Sequence, residues 1–230
     1  MILLKTEQLT KMFNGKPAVL GVDIAFEAGR IVGLLGPNGS GKSTFMKMVA
    51  GLFYPTKGRI TLADSPVGIR TKSKTVYMPT EQFIYDYMTI KTVGTFFKDF
   101  YEDFDSDWYQ EQIEHMQLSP EMKVSTLSSG MAAKLKVAAV MSRKATVYML
   151  DEPLNGIDLV ARDKIITSII KRAAPDNLII ISSHLIDSVE NLLDDIVFLK
   201  QGEVVLNGNV ENIREQYGKS IVDLYKEVYA

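Results

Sequence analysis

Nine consecutive residues, GPNGSGKST (36–44), combine three glycines with a lysine and two closing hydroxyls. The spacing is G-x-x-x-x-G-K-[ST], which describes a loop that cradles phosphate. Gly36, Gly39 and Gly41, with Pro37, Asn38 and Ser40 between them, make a turn whose backbone N–H groups can face one anion. Lys42 adds a mobile positive charge for β- and γ-phosphates, and the Ser43 hydroxyl is placed to ligate Mg²⁺. Ser43 and Thr44 open a helix whose positive end faces the same anion. Residues 36–44 are therefore expected to hold a nucleoside triphosphate.

A second stretch, VYMLDEP (147–153), is an apolar run ending in two carboxylates. Carboxylates at the end of a buried strand are costly without a cation nearby, and a phosphate-bound Mg²⁺ is the natural one. Asp151 is expected on the metal, directly or through water. Glu152 is expected beside the γ-phosphate, where it can orient and polarise an attacking water. A third stretch, TLSSGM (126–131), has by itself only the composition of a surface loop.

These groups need a scaffold. GRIVGLLG, before the glycine loop, is a continuous apolar run, as a strand buried on both faces requires. KSTFMKMVAGL reads as the following helix, ending near Gly51. Two alternating segments near the start flank Asn14-Gly15, a hairpin turn signal. KGRITLAD, KTVYMP, TVYMLD and NLIIIS are further strands, and DIVFLKQGEVVLNG is a hairpin turning at Gln201-Gly202. Helix is expected from about Ile90 to Lys123, over 132–143, over DLVARDKIITSIIKRAA, over HLIDSVENLL and over SIVDLYKEVY. The alternation predicts an α/β fold: a nucleotide-binding core with a mixed, largely parallel sheet, an N-terminal antiparallel β subdomain and an inserted helical subdomain. The expected division is a core of 1–89 plus 145–230, with the helical subdomain at about 90–144.

Composition narrows the partners. The 230 residues carry a net charge of −2, so nothing argues for a nucleic-acid surface. There are no cysteines, which excludes disulfides and thiolate metal sites. The start, MILLKTEQLTKMF, lacks the features of a signal peptide, and no apolar run reaches the roughly 20 residues of a bilayer span. A guanine-reading triphosphatase would carry N-K-x-D, which does not occur.

Taken in order, GPNGSGKST, TLSSGM, VYMLDEPLNGIDL and IIISSHL resemble the ATP-binding subunit of ABC transporters over essentially the whole chain. The resemblance implies that Phe13 stacks on adenine. It implies that Ser128, Ser129 and Gly130 bind the γ-phosphate of ATP held by a second subunit. Asp158 would join the two sites across a dimer, and His184 would contact the γ-phosphate. His115, in QIEHM, is expected to be a solvated helix residue. The usual glutamine of the "PQE" loop is missing; Thr80 holds its place, with Glu81 and Gln82 as stand-ins for its contact with Mg²⁺. Ser129, Met131 and Leu154 are further departures from the common pattern. FFKDFYEDFDSDWY (96–109) is similar to a stretch in small bacterial exporter ATPases, including those for antimicrobial and toxin-like peptides. It reads either as packing within the helical lobe or as a surface for a membrane subunit. The implied function is ATP hydrolysis with Mg²⁺, by a homodimer or heterodimer. The chain would be peripheral at the cytoplasmic face of a bacterial membrane and would energise export through a separate transmembrane permease. A non-transport ATPase of the same type and a regulatory ATP-binding module are the alternatives.

Overall fold

The structure is a computed structural model and describes residues 1–229. Strand β1 (Ile2–Phe13) and strand β2 (Lys16–Glu27) form an antiparallel hairpin. Its turn is Asn14-Gly15, with φ of 49° and 78°; two positive φ values match the right-handed twist of the strands. Strand β3 (Arg30–Leu35) leads into the glycine loop and helix α1 (Lys42–Val49). Strands β4 (Lys57–Leu62) and β5 (Ser65–Pro66) complete a four-stranded sheet in the order β2-β1-β4-β5. A single turn, α2 (Ile69–Lys72), precedes strand β6 (Thr75–Met78).

Three helices lie between β6 and the next strand: α3 (Ile90–Phe100), α4 (Ser106–His115) and α5 (Ser129–Met141). The expected helix over 90–123 is thus two helices with an extended break. Asp105 causes the break, because its carboxylate accepts from the Trp108 N–H at 3.0 Å and so starts α4 anew. Strand β7 (Val147–Asp151), helix α6 (Leu159–Arg172) and strand β8 (Leu178–Ser183) resume the alternation. Strands β9 (Asp195–Lys200) and β10 (Glu203–Asn209) form the second hairpin, followed by helices α7 (Val210–Tyr217) and α8 (Ile221–Tyr229).

The main sheet has the order β10-β9-β3-β8-β7-β6, parallel except for the β9–β10 pair. Successive side chains of its strands bury on opposite faces. Val32, Leu34, Val147, Met149, Leu178 and Ile180 pack toward α1 and the antiparallel sheet. Ile31, Leu35, Tyr148, Leu150, Ile179 and Ile181 pack toward the core shared with α5 and α6. The carboxyl ends of β3, β7 and β8 therefore meet in one place, carrying the glycine loop, the acidic pair and the SSH segment.

Two expectations are corrected. HLIDSVENLL is not an α-helix but two 3₁₀ turns, Ile186–Ser188 and Glu190–Leu192. Ile186 and Val189 are buried and Leu192 packs behind them, a spacing of three that eclipses side chains in a 3₁₀ turn. The helix expected over 132–143 begins earlier, at Ser129.

Candidate active site

The glycine loop is shaped by contacts that admit no side chain at its two framing glycines. A Cβ on Gly36 would lie 2.5 Å from the Leu199 carbonyl oxygen and 2.7 Å from Ser40 Oγ. One on Gly41 (φ 111°) would lie 2.4 Å from the Ala18 carbonyl oxygen. The β9–β10 turn braces the loop from behind: the Gly202 N–H donates to the Ser40 carbonyl at 2.9 Å, and its carbonyl accepts from the Leu20 N–H at 2.8 Å. Ser40 Oγ is buried and has no protein partner. A buried hydroxyl left unpaired is costly, so it fits a site that completes itself with phosphate oxygens.

Lys42 curls into this loop. Its Nζ donates to the carbonyls of Gly36 (2.7 Å) and Pro37 (3.2 Å) and lies 3.2 Å from Glu152 Oε1. The second Glu152 oxygen meets His184 Nδ1 at 2.8 Å. Three residues from β3–α1, β7 and β8 thus converge, with Lys42 only 5% exposed. Glu152 itself has φ 50°. A non-glycine residue in the left-handed region costs roughly 1–3 kcal/mol and persists only where neighbours over-determine it. Here the Glu152 N–H is fixed by Ser182 Oγ at 2.9 Å.

Asp151 is 1% exposed and fully engaged. Its Oδ1 accepts from Ser182 Oγ at 2.5 Å, and its Oδ2 accepts from the Tyr77 hydroxyl at 3.1 Å. Burial, and then the Asp151 charge, push the Tyr77 hydroxyl well above the usual phenol range, so it stays a donor. Ser182 and Tyr77 are site residues that the sequence reading did not single out. Their contacts cross strands, in the register Asp151↔Ser182 and across the β6–β7 pair.

The segment 126–131 lies at a helix end. Ser128 is the N-cap of α5, and its Oγ accepts from the Met131 N–H at 3.3 Å. Ser128 and Ser129 are exposed, while Gly130 is buried. A Cβ on Gly130 would come within 3.5 Å of Asp158 Oδ2. Asp158 caps α6 by accepting from the Ala161 N–H at 2.9 Å, and that bond holds its carboxyl below the usual range. Ser129 Oγ donates to the Gly156 carbonyl at 3.4 Å. The structure therefore brings the exposed Ser129 and Asp158 together around the buried Gly130.

Three sequence readings take new shape. Gln82 is turned away, its amide donating to the Ile84 carbonyl at 2.9 Å. Thr80 Oγ1 donates to its neighbour Glu81 at 3.3 Å, and Glu81 pairs with Lys47 at 3.2 Å. Phe13 is 43% exposed, edge-on to Phe53 at 5.5 Å, with Lys11 above both rings. His115 is half-buried rather than solvated, with Nε2 3.4 Å from the Lys164 carbonyl oxygen.

Fold and site together define an α/β nucleotide-hydrolase core with the phosphate loop and the acidic strand end side by side. Residues 19–155 match the family described as "ABC transporter". The chain is similar to the ABC transporter ATP-binding protein YtrB of Bacillus subtilis (strain 168), 27% identical over 220 residues that cover 94% of this chain and 75% of the relative. It is also similar to the linearmycin resistance ATP-binding protein LnrL of the same organism, 29% identical over 224 residues, 94% and 72% of the two chains. Among solved structures, one described as an ATP-binding subunit of an ABC transporter superposes with a TM-score of 0.87 at 25% identity, covering 98% of each chain. The chain belongs to the ABC transporter family as an ATP-binding subunit, and its activity is ATP hydrolysis.

Proposed function

We propose that this subunit drives export, through a separate transmembrane permease, from the cytoplasmic face of a bacterial membrane. The observation that carries the catalytic part is the bracketing of Glu152 by Lys42 at 3.2 Å and His184 at 2.8 Å. Among the described residues no helix is long and apolar enough to cross a membrane.

The residues divide the work as follows. The N–H groups of the loop 36–44 and Lys42 bind the triphosphate. Ser43 and Asp151 are the residues that would hold Mg²⁺, which neutralises phosphate charge when bound. Glu152 orients and polarises the attacking water, and His184, whose Nδ1 faces Glu152, holds that carboxylate in place and reaches the γ-phosphate. The exposed helix end at Ser128, with Ser129 and Gly130, binds the γ-phosphate of ATP on a second ATPase subunit, and Asp158 lies at the seam. Leu159 and Val160 are 74% and 66% exposed beside it, apolar area suited to burial in such a dimer. The partner is a second copy or a related subunit. Phe13 offers an aromatic face to adenine.

The segment 96–109 has a packed side and an exposed side. Phe97, Phe104 and Tyr109 pack inside the helical lobe, while Phe100 and Tyr101 point outward. Tyr101 lines a groove of about 410 Å³ together with Leu52, Tyr77, Phe83 and Phe97, and Tyr85, Tyr87, Phe96 and Phe100 form a largely exposed aromatic cluster. Exposed aromatics next to a groove suit an inserted helix of the permease. One relative is named for linearmycin resistance; a peptide is the cargo class proposed for this chain. The test is reconstitution: wild-type ATPase should rise when the chain is combined with its co-purifying multi-spanning protein. Absence of any such membrane partner would overturn the transport reading.

A further inference from the structure

Position 80 of the loop 79–82 is a threonine in place of the expected glutamine, and its two stand-ins are engaged elsewhere, Glu81 with Lys47 and Gln82 with the Ile84 carbonyl. What the loop does have is a cation on each side. From α1, Lys47 pairs with the Glu81 carboxylate at 3.2 Å. From α5, Lys136 donates to the main-chain carbonyls of Thr80 (2.9 Å) and Glu81 (3.1 Å). The Lys136 stem is half-buried, and its ammonium lies 5.6 Å from the centre of the Phe83 ring. Burial holds the Lys136 pKa below the usual lysine range, offset in part by the charges of Glu81 and Asp151. Asp151 is thus within electrostatic reach of the same ammonium. One ammonium donating to two adjacent carbonyls is a directional clamp, stronger than neutral hydrogen bonds.

Ser128 caps helix α5 about two turns before Lys136, roughly 12 Å along the axis. Helix α1 begins at the phosphate loop. The loop 79–82 is therefore bracketed between the two helices whose amino ends carry the two phosphate-binding ends of the chain. We infer that Lys136 is a positioning residue that fixes loop 79–82 to α5, so that the loop and the Ser128 end of that helix move as one piece. This function for the loop comes from its main chain, which is why the side chain at position 80 can be a threonine.

The inference rests on the proposed function for its catalytic consequence, but not for the clamp itself. Two readouts separate them: amide hydrogen exchange over 79–84 in the nucleotide-free full chain, and steady-state ATPase. Lys136→Met keeps the stem and removes the donors. It should speed exchange over 79–84 roughly tenfold or more, the scale of losing charge-assisted bonds to a loop. It should lower kcat on the order of tenfold while the KM for ATP stays within about twofold, as expected when positioning rather than binding is lost. Lys136→Arg, which keeps cationic donors, should restore most of both. Should Lys136→Met lose its cooperative melt, Lys136→Leu, which also lacks donors, is read in the same way. Unchanged exchange over 79–84 would overturn the clamp, as would equal loss in the Met and Arg variants. A wild-type chain without ATPase would instead count against the proposed function and leave the exchange readout intact.

Discussion

Glu152 holds a left-handed backbone at the end of a strand in which every residue is buried. That strain is tolerated because Ser182 Oγ pins its N–H while Lys42 and His184 take its two oxygens. Ser182→Ala should free both Glu152 and Asp151 Oδ1, removing a bond to a charged group that is worth about 1.5–3 kcal/mol. The expected result is a kcat lowered on the order of tenfold to hundredfold with little change in KM for ATP; steady-state kinetics would show it. Lys42→Ala should weaken ATP binding by about a hundredfold or more, since a buried cation opposite the phosphates is lost. Calorimetry that found unchanged affinity would contradict the phosphate-loop assignment. Lys42, Asp151 and Glu152 were legible in the sequence because each sits in a contiguous motif. Tyr77 and Ser182 were not, because their value arises only when β6, β7 and β8 lie side by side.

The elements follow the same division. Strands buried on both faces and helices with clear ends could be read from apolar runs and from the Asn14-Gly15 and Gln201-Gly202 turns. Helix α7 could not, since only Val210 and Ile213 are buried and no apolar stripe announces it. Its signal was in its caps: Asn209, whose Oδ1 accepts from the Glu211 and Asn212 N–H groups, and Gly218 at φ 64°. The two 3₁₀ turns after His184 share their spacing with a short α-helix, so periodicity alone could not separate them. At α5, the exposed Ser128 cap supports a role in trans. Ser128→Arg should leave ATP binding by the isolated chain within about twofold and reduce hydrolysis by two orders of magnitude or so, because only the facing site is blocked. At α4, Asp105 accepts from the Trp108 N–H first and then pairs with Lys144 at 3.1 Å, which together hold its carboxyl below the usual range. Its stabilisation is thus present above the ordinary aspartate pKa and lost as pH falls through the depressed value. Asp105→Ala should cost about 0.5–2 kcal/mol at neutral pH, and denaturant melts in acid should find the two proteins converging.

At the scale of the molecule, one chain presents a phosphate loop in one place and an exposed helix end in another, with Asp158 beside that helix end. That arrangement makes sense as half of a paired engine, in which each chain covers nucleotide held by the other. The exposed aromatics Tyr85, Tyr87 and Phe100 take no part in the Lys42–Glu152–His184 group. Tyr87→Glu with Phe100→Glu should therefore leave basal ATPase within about twofold while weakening association with the membrane partner, as expected when interface anchors are lost. Co-purification before and after substitution reads this out. In this engine Glu152 activates water in a site closed by a second subunit. The most direct test of that role is Glu152→Gln with Mg²⁺ and ATP, followed by turnover and light scattering together. The variant should retain ATP binding, turn over below about 1% of wild type and accumulate as an ATP-bound dimer. Turnover equal to wild type would contradict that role for Glu152.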